Sequence, residues 1–181
     1  MRIIAGTLRG RRFDPPQNFD ARPTTDFAKE NIFNVLTNFI DYTTLHALDL
    51  FAGSGSISYE LASRGCPNIT TIEINKLHHH FILKTTTQLG LNNTIHPIQT
   101  NALKYIKTTT STYNLIFADP PYALPEVDTL PDLILQTNIL TPDGLLILEH
   151  STPGRFNKHP NLTQTRTYGK VNFSLFKHNP Q

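Results

Sequence analysis

The chain has 181 residues, of which 38% are hydrophobic and 17% charged, a composition that predicts one globular domain around a single core. Its apolar runs are shorter than the roughly 20 residues of a membrane span, and the apolar stretch after Met1 is too short for a signal peptide, so we expect a cytoplasmic protein with no membrane partner. The one cysteine, Cys66, excludes an internal disulfide and fits a reducing compartment.

Basic residues are concentrated at the two ends of the chain, although the net charge is only +2. Residues 1–12 carry four arginines and no acid, and residues 150–181 carry five basic side chains and no acid. The segment 13–149 holds the other seven basic residues and all fourteen acids. Two basic ends on an acidic middle indicate a face for a polyanion, with nucleic acid the usual candidate. Solvated basic tails without a partner are the alternative.

The first part of the chain predicts a hairpin followed by an amphipathic helix. RIIAGTLRGRRF, residues 2–13, predicts two short strands with arginines on exposed positions. Pro23 and Thr24 predict a helix start, and Asp26 in the first turn suits the helix dipole. The apolar residues at helical spacing, which predict one buried face, are Ala28, Ile32, Val35, Leu36 and Phe39. We expect residues 1–43 to be an extension and residues 44–181 the main domain.

Apolar and helical segments alternate along the main domain. Apolar runs cover 46–51, 69–74, 95–99, 113–119 and 144–150, and helical patterns cover 56–65, 75–90, 102–107 and 126–138. This alternation implies right-handed crossovers and a parallel sheet with helices on both faces. The tail, 163–178, predicts an antiparallel hairpin that turns at Tyr168-Gly169 on the edge of the sheet. The expected fold is a Rossmann-like α/β domain with a mostly parallel, seven-stranded sheet.

The residues that follow the first predicted strand indicate a cofactor site, because ligands of an open α/β sheet bind beyond the carboxyl ends of the strands. Gly53 and Gly55 let the backbone approach a ligand. A dinucleotide fingerprint needs a third glycine where this chain has Ser58. With Asp49 just ahead of the loop, a cofactor with a cationic or zwitterionic end is favoured over a pyrophosphate. A tight turn without a ligand is the alternative.

Polar residues also follow the second and third predicted strands. Glu73 stands about twenty residues after Gly53, which is the spacing at which an acid accepts hydrogen bonds from ribose hydroxyls. Asn101, which precedes Ala102, has an amide oxygen that can accept from an adenine amino group. Together these residues describe a nucleoside cofactor. S-adenosylmethionine fits best, because its methionine end can use Asp49 and the glycine backbone and it needs no phosphate site.

The fourth predicted strand ends in Asp119, Pro120, Pro121 and Tyr122. An exocyclic amine on a nucleobase is a poor nucleophile, because its lone pair is delocalised into the ring. Acceptors that hold its two N–H bonds turn it towards tetrahedral geometry, and proline offers a carbonyl without an N–H. The prolines also stiffen the turn, and Tyr122 can stack on the base. The pattern therefore predicts methylation of an amine; a strand-ending loop without a catalytic role is the alternative.

Five characteristic segments follow one another along the chain: RIIAGTLRGRRF, RPTTDFAKENIFNVL, DLFAGSGSISYELASRG, TIEIN and FADPPY. With these segments, the chain resembles the RsmD family of bacterial ribosomal RNA methyltransferases over nearly its whole length. The resemblance implies a class I methyltransferase dependent on S-adenosylmethionine. It further implies methylation of the exocyclic N2 of a guanine in 16S ribosomal RNA, on an assembled or assembling small subunit. We expect a monomer that needs no metal, and an N-terminal extension that closes over RNA and cofactor.

The resemblance also assigns individual residues. The cofactor-binding residues it implies are Thr25, Asp49, Phe51, Gly53, Gly55, Glu73, Ile74, Asn101, Ala102 and Asp119. The catalytic residues are Asp119, Pro120 and Tyr122, and the residues expected to contact RNA are Arg2, Arg9, Arg11, Arg12, Arg22 and Lys170. Members of the wider class often have aspartate where this chain has Asn101, so we expect an altered cofactor affinity.

Three other functions are compatible with parts of the sequence. Adenine-N6 methylation of DNA shares the DPPY pattern, but the chain has no room for a separate target-recognition domain. Glutamine methylation on a protein usually has asparagine where this chain has Asp119. A non-catalytic assembly factor could bind ribosomal RNA through the basic ends. The histidines at 78–80 do not indicate a metal site, because consecutive residues on a helix point in different directions.

Overall fold

The computed structural model describes residues 1–16, 19 and 25–178. Its helices are α1 (Asp26–Leu36), α2 (Ser56–Ser63), α3 (Lys76–Gln88), α4 (Ala102–Thr108) and α5 (Leu130–Gln136), with short 3-10 helices at Tyr42–Thr44 and Pro125–Asp128. Its strands are β1 (His46–Leu50), β2 (Asn68–Glu73), β3 (Ile95–Gln99), β4 (Tyr113–Ala118), β5 (Leu140–His150), β6 (Leu162–Tyr168) and β7 (Val171–Phe176). Within these described ranges, every helix is too short or too polar to cross a membrane.

The strands form one seven-stranded sheet in the order β3-β2-β1-β4-β5-β7-β6. The strands β1 to β5 run parallel, and β7 and β6 add to β5 as an antiparallel hairpin. The predicted Rossmann-like fold and the edge hairpin are therefore confirmed. Pro97 is tolerated inside β3 because this strand lies at the edge of the sheet, where a missing N–H costs little.

Two hydrophobic clusters cover the two faces of the sheet. Alternate residues of β4 show the division: Leu115 and Phe117 belong to the cluster that contains α1 and α2, while Ile116 and Ala118 belong to the cluster that contains α4 and α5. This period of two is the geometry of a strand buried on both faces. It explains why β1, β4 and β5 appear as continuous apolar runs in the sequence.

The N-terminal arm, residues 1–13, folds back on itself as the predicted hairpin, with an antiparallel bridge between Arg2 and Arg12 and a backbone hydrogen bond from Phe13 N to the Met1 carbonyl at 3.2 Å. The pairing within the arm stays short, and helix α2 binds two further amides of the arm. Ile4 and Ala5 donate their backbone N–H groups to the carboxylate of Glu60 at 2.7 and 3.1 Å. The arm is therefore held by the main domain.

A buried ion pair reinforces this attachment. Lys29 and Glu60 are both 0% exposed, with Nζ 3.8 Å from Oε2. Lys29 Nζ also donates to the carbonyl of Arg2 at 2.7 Å and to the hydroxyl of Ser56 at 2.9 Å, and Arg64 Nε donates to Glu60 Oε1 at 2.8 Å. Burial lowers the pKa of Lys29, and the neighbouring Glu60 charge opposes that shift. The arm, α1 and α2 are thus joined through one polar cluster.

Helix α1 is shorter than its sequence pattern indicates. Thr25 caps it by accepting a hydrogen bond from the Ala28 amide at 3.2 Å, and the start predicted at Pro23 and Thr24 lies outside the described residues. Ala28, Ile32 and Leu36 are buried as predicted. Phe39 is 62% exposed, and its assignment to the buried face is wrong because the helix ends at Leu36.

Candidate active site

A cavity of about 390 Å³ lies at the carboxyl ends of the parallel strands, where an open α/β sheet binds its ligands. The predicted site residues that line it are Thr25, Asp49, Phe51, Gly53, Glu73, Ile74, Asn101, Ala102, Asp119, Pro120 and Tyr122. Gly55 does not line it, and Arg22 lies outside the described residues. Apart from Thr25, which caps α1, these residues lie at or just beyond the carboxyl ends of strands of the same sheet, and this brings residues far apart in the chain around one space.

Asp49 lies at the inner end of the cavity and is 1% exposed. Its Oδ2 accepts hydrogen bonds from the Ser58 amide at 3.2 Å and the Ser58 hydroxyl at 2.6 Å. Burial raises the pKa of Asp49 to about 7, against the opposing effect of the Ser58 bonds. Serine at position 58, where a dinucleotide fingerprint has glycine, therefore has a structural role: it holds Asp49 in place. Sequence reasoning missed this role.

Glu73 is fixed by backbone amides from two loops. Its Oε2 accepts from Gly53 N and its Oε1 from Asn75 N, both at 2.7 Å. His78 Nδ1 lies 3.8 Å from Oε1. Each carboxylate oxygen has a second lone pair, so Glu73 can still accept from a ligand while its position is set. The pair of amides ties the end of β2 to the glycine loop after β1.

Asn101 has a structural role that sequence reasoning missed. Its Oδ1 accepts from the Lys104 amide at 3.0 Å and caps helix α4. Asparagine and aspartate are almost equally good helix caps, which explains why asparagine is compatible with this fold where the wider class often has aspartate. The amide oxygen has one bond already, so an adenine amine would have to use its second lone pair.

Two residues of the loop after β1 have left-handed backbone. Phe51 has φ of +61°, a conformation that costs a bulky residue roughly 1–3 kcal/mol and is found most often at functional sites. Gly55 has φ of +78°, and a Cβ there would lie 2.8 Å from the Tyr59 ring. Packing against Tyr59 therefore explains this glycine without any ligand, and its predicted cofactor contact stays a prediction.

The two prolines of the DPPY turn differ in their surroundings. The Pro121 carbonyl accepts from the Leu124 amide at 2.8 Å. Pro120 is buried and lines the cavity. Tyr122 lines the cavity and is 40% exposed. Of the two prolines, Pro120 is therefore the one suited to accept from a substrate amine.

Glu149 is a second acid on the Asp119 side of the cavity that sequence reasoning missed. It lies on β5, lines the cavity and is 4% exposed. Ala118 of β4 is in register with Leu148 of β5, so Asp119 and Glu149 follow at neighbouring strand positions. The signal was present in the sequence, because LLILEH, like NLIFAD, is an apolar run that reaches an acid.

The predicted RNA-contacting residues that the structure describes are exposed: Arg2, Arg9, Arg11, Arg12 and Lys170. Lys170 precedes Val171, which lines the cavity. Phe27 lies close by on α1, is 64% exposed, and its ring centroid is 6.3 Å from that of Tyr168. A basic and aromatic surface therefore borders the mouth of the cavity.

The three consecutive histidines point to different surroundings. His78 lines the cavity and stacks on Phe19 with ring centroids 3.9 Å apart. His80 lines a separate cleft with Arg12 and Lys84. Among residues 1–16, 19 and 25–178, no group of three or more histidine, cysteine or acidic side chains is placed to hold a metal ion.

Known proteins resemble this chain over its full length. The Escherichia coli (strain K12) protein named ribosomal RNA small subunit methyltransferase D is 28% identical, covering 100% of this chain and 91% of that protein. Its namesake from Buchnera aphidicola subsp. Baizongia pistaciae is 29% identical, covering 97% and 91%. The solved structure of Escherichia coli yhhF, described as a candidate methyltransferase, superposes with a TM-score of 0.85 at 27% identity, covering 100% and 99%.

A family model described as Conserved hypothetical protein 95 matches residues 1–177. This match spans the N-terminal arm, the cavity and the C-terminal hairpin, so it includes every part of the chain discussed above. It confirms the family indicated by the sequence motifs. The chain therefore belongs to the Conserved hypothetical protein 95 family, the RsmD family of methyltransferases.

Proposed function

We propose that this protein transfers a methyl group from S-adenosylmethionine to the exocyclic N2 of a guanine in small-subunit ribosomal RNA. The observation that carries the proposal is the wall formed by Asp119 and Pro120 in the same cavity as Asp49 and Glu73. The full-length relatives named ribosomal RNA small subunit methyltransferase D support the choice of RNA. We propose that it acts as a monomer in the cytoplasm, on an assembled or assembling small subunit.

The cavity fits S-adenosylmethionine in size and chemistry. Its volume of about 390 Å³ lies in the range of small-molecule sites, which is about 300–1,000 Å³. Within the described ranges, no lysine, arginine or histidine forms an ion pair with Asp49, and a buried carboxyl with a raised pKa favours a cationic ligand. Glu73 is placed for the ribose, and Ile74 and Ala102 offer apolar surface for the adenine.

When bound, S-adenosylmethionine supplies an electrophilic methyl group and leaves as S-adenosylhomocysteine. The residues of this chain prepare the nucleophile. The carbonyl of Pro120 and the carboxylate of Asp119 each accept a hydrogen bond from one N–H group of the guanine amine. These two hydrogen bonds orient the nitrogen lone pair towards the methyl group. Positioning of this kind lowers a barrier by about 7–11 kcal/mol in favourable cases. Asp119 then takes the proton that the methylated amine releases, and Tyr122 stacks on the base.

The surface around the cavity suits a flipped-out nucleotide. Exposed arginines on the N-terminal arm and Lys170 on the β6–β7 turn provide positive charge for phosphates. Phe27 presents an exposed ring beside Tyr168, and aromatic rings of this kind stack on unpaired bases. Thr25 lines the cavity at the start of α1, so this residue lies within reach of a bound cofactor or base.

The test uses radiolabelled S-adenosylmethionine with purified small subunits, naked ribosomal RNA and DNA, followed by digestion to nucleosides. We expect the label in N2-methylguanosine from small subunits. Label in N6-methyladenosine would support the adenine alternative instead, and no label in any substrate would support a non-catalytic assembly factor. Asp119→Ala should still bind the cofactor and lose most turnover, whereas Asp143→Ala, which removes an exposed acid, should behave as wild type.

A further inference from the structure

Glu149 is a buried acid with no part in the function proposed so far. The segment around it, residues 144–150, is buried throughout, and its partner across the β5–β7 ladder is the apolar Phe173. Acidic side chains are rarely found buried at such a position unless a partner or a function keeps them there. Buried acids on the wall of a cleft are candidates for functional residues. The question is which ligand group a carboxylate at this point would serve.

The position of Glu149 points to the substrate base and not to the cofactor. Asp49 and Glu73 lie near the ends of β1 and β2, at one side of the cavity. Asp119 directly follows β4 and Glu149 lies near the end of β5, at the other side. Pro120 and Tyr122 share the second side. A base held there by its amine presents the rest of the same edge to the neighbouring strand, which is β5.

The chemistry of that edge distinguishes guanine from adenine. Guanine carries an N1–H donor beside its N2 amine, so both of these neighbouring positions on its edge are hydrogen-bond donors. Adenine carries an acceptor lone pair at N1 beside its N6 amine. Ionised carboxylates only accept hydrogen bonds, so a wall built from Asp119 and Glu149 matches the guanine edge. The same wall would face the N1 lone pair of adenine with a second acceptor.

We propose that Glu149 accepts the N1–H of the target guanine and thereby selects guanine over bases that carry an acceptor at N1. This inference rests on the proposed guanine-N2 methylation. Glu149 acts as a specificity-determining and positioning residue: the N1–H bond fixes the rotation of the base in its plane, and that rotation places the N2 amine between Asp119 and Pro120. The methyl transfer itself needs no proton from Glu149.

The test compares the natural target guanine, once mapped by labelling, with 2-aminopurine at that nucleotide in reconstituted small subunits. 2-Aminopurine keeps the exocyclic amine at C2 but has an acceptor at N1. The wild-type enzyme should prefer guanine by about 100-fold in kcat/KM, the range expected when a charged acceptor loses its donor. Glu149→Gln can donate to N1 of 2-aminopurine, so its preference should fall below about tenfold. 2-Aminopurine also lacks the O6 of guanine, but this difference is the same for both enzymes. The change in the guanine preference between wild type and Glu149→Gln therefore reports the N1 contact.

Two controls keep this test separate from stability and from the proposed function. Glu149→Gln should bind S-adenosylhomocysteine within about threefold of wild type by calorimetry, and Glu126→Gln, at an exposed acid outside the cavity, should keep the full preference. A wild-type enzyme that leaves guanine unmethylated would refute the proposed function. A wild-type enzyme that methylates both bases equally well, or a Glu149→Gln variant with an unchanged preference, would overturn the role of Glu149 alone.

Discussion

Replacing Asp49 by asparagine separates two effects of one carboxyl group, its cost to folding and its use in cofactor binding. Asparagine has nearly the same shape and can accept both Ser58 hydrogen bonds, but it cannot ionise. We therefore expect Asp49→Asn to stabilise the protein without ligand at alkaline pH and to weaken its binding of S-adenosylmethionine.

The magnitude follows from the raised pKa of Asp49, about 7 in the folded protein against about 4 in an unfolded chain. Between these pH values the folded state keeps a proton that the unfolded state has lost. The free energy of unfolding therefore falls as pH rises from about 4 to about 7 and is flat above. A shift of about three pKa units sets an upper limit on the order of 4 kcal/mol for the loss. The variant avoids this loss.

Urea unfolding at pH 5, 6, 7 and 8.5 measures the first effect. The stability advantage of Asp49→Asn over wild type should grow up to about pH 7 and then stay constant. Calorimetry measures the second effect: wild-type affinity for S-adenosylmethionine should rise with pH up to about 7, by as much as tenfold per unit, because binding requires the ionised carboxylate. Asp143→Asn, an exposed substitution, should change neither quantity.

Two results would refute this reasoning. One is a variant that is less stable than wild type at pH 8.5, since the charge would then stabilise the fold. The other is a wild-type cofactor affinity that does not change between pH 5.5 and 7, since Asp49 would then be ionised before the ligand arrives.

Three further substitutions test other contacts. Ser58→Ala removes a bond that lowers the pKa of Asp49, so its cofactor affinity by calorimetry should fall more at pH 6.5 than at pH 8.5; an equal loss at both would contradict this role. Phe27→Ala should weaken binding to small subunits by about 5- to 100-fold, the range of one base-stacking contact, whereas Phe39→Ala, a similarly exposed phenylalanine beyond the C-terminal end of α1, should not. Equal effects of the two substitutions would contradict a stacking role for Phe27. Lys29→Met leaves a buried carboxylate without its lysine and should cost about 3 kcal/mol in urea unfolding, and a loss below about 1 kcal/mol would show that the ion pair is dispensable.

The sequence correctly brings together several residues that line the cavity, for a physical reason. Asp49, Glu73 and Asn101 each end a strand or follow one directly, and the carboxyl ends of parallel strands meet at one edge. Recognising the strands is therefore enough to place these residues together. Asp119 follows the same rule after β4.

The contacts that sequence reasoning missed depend on side chains that no periodic pattern marks. Lys29 lies on the buried face of α1 although a lysine normally indicates a solvent-facing position, and only the fold shows that Glu60 meets it there. At Ser58 the sequence pattern indicates only an absent glycine, because the contact between Ser58 and Asp49 cannot be obtained from spacing. Phe39 continues the apolar pattern of α1 beyond the point where the helix ends, so the pattern alone assigns it wrongly.

The attachment of the N-terminal arm to Glu60 limits which substitutions can test the proposed RNA-binding surface. A chain shortened by its first twelve residues would lose the amides of Ile4 and Ala5 and the Arg2 carbonyl that Lys29 uses. Such a truncation would damage folding and RNA binding together, and its phenotype would not distinguish them. Single exchanges at Arg9 or Arg11 leave those backbone groups intact. Exposed side chains on the arm can therefore be exchanged to change substrate preference, whereas the backbone of the arm is required for the fold.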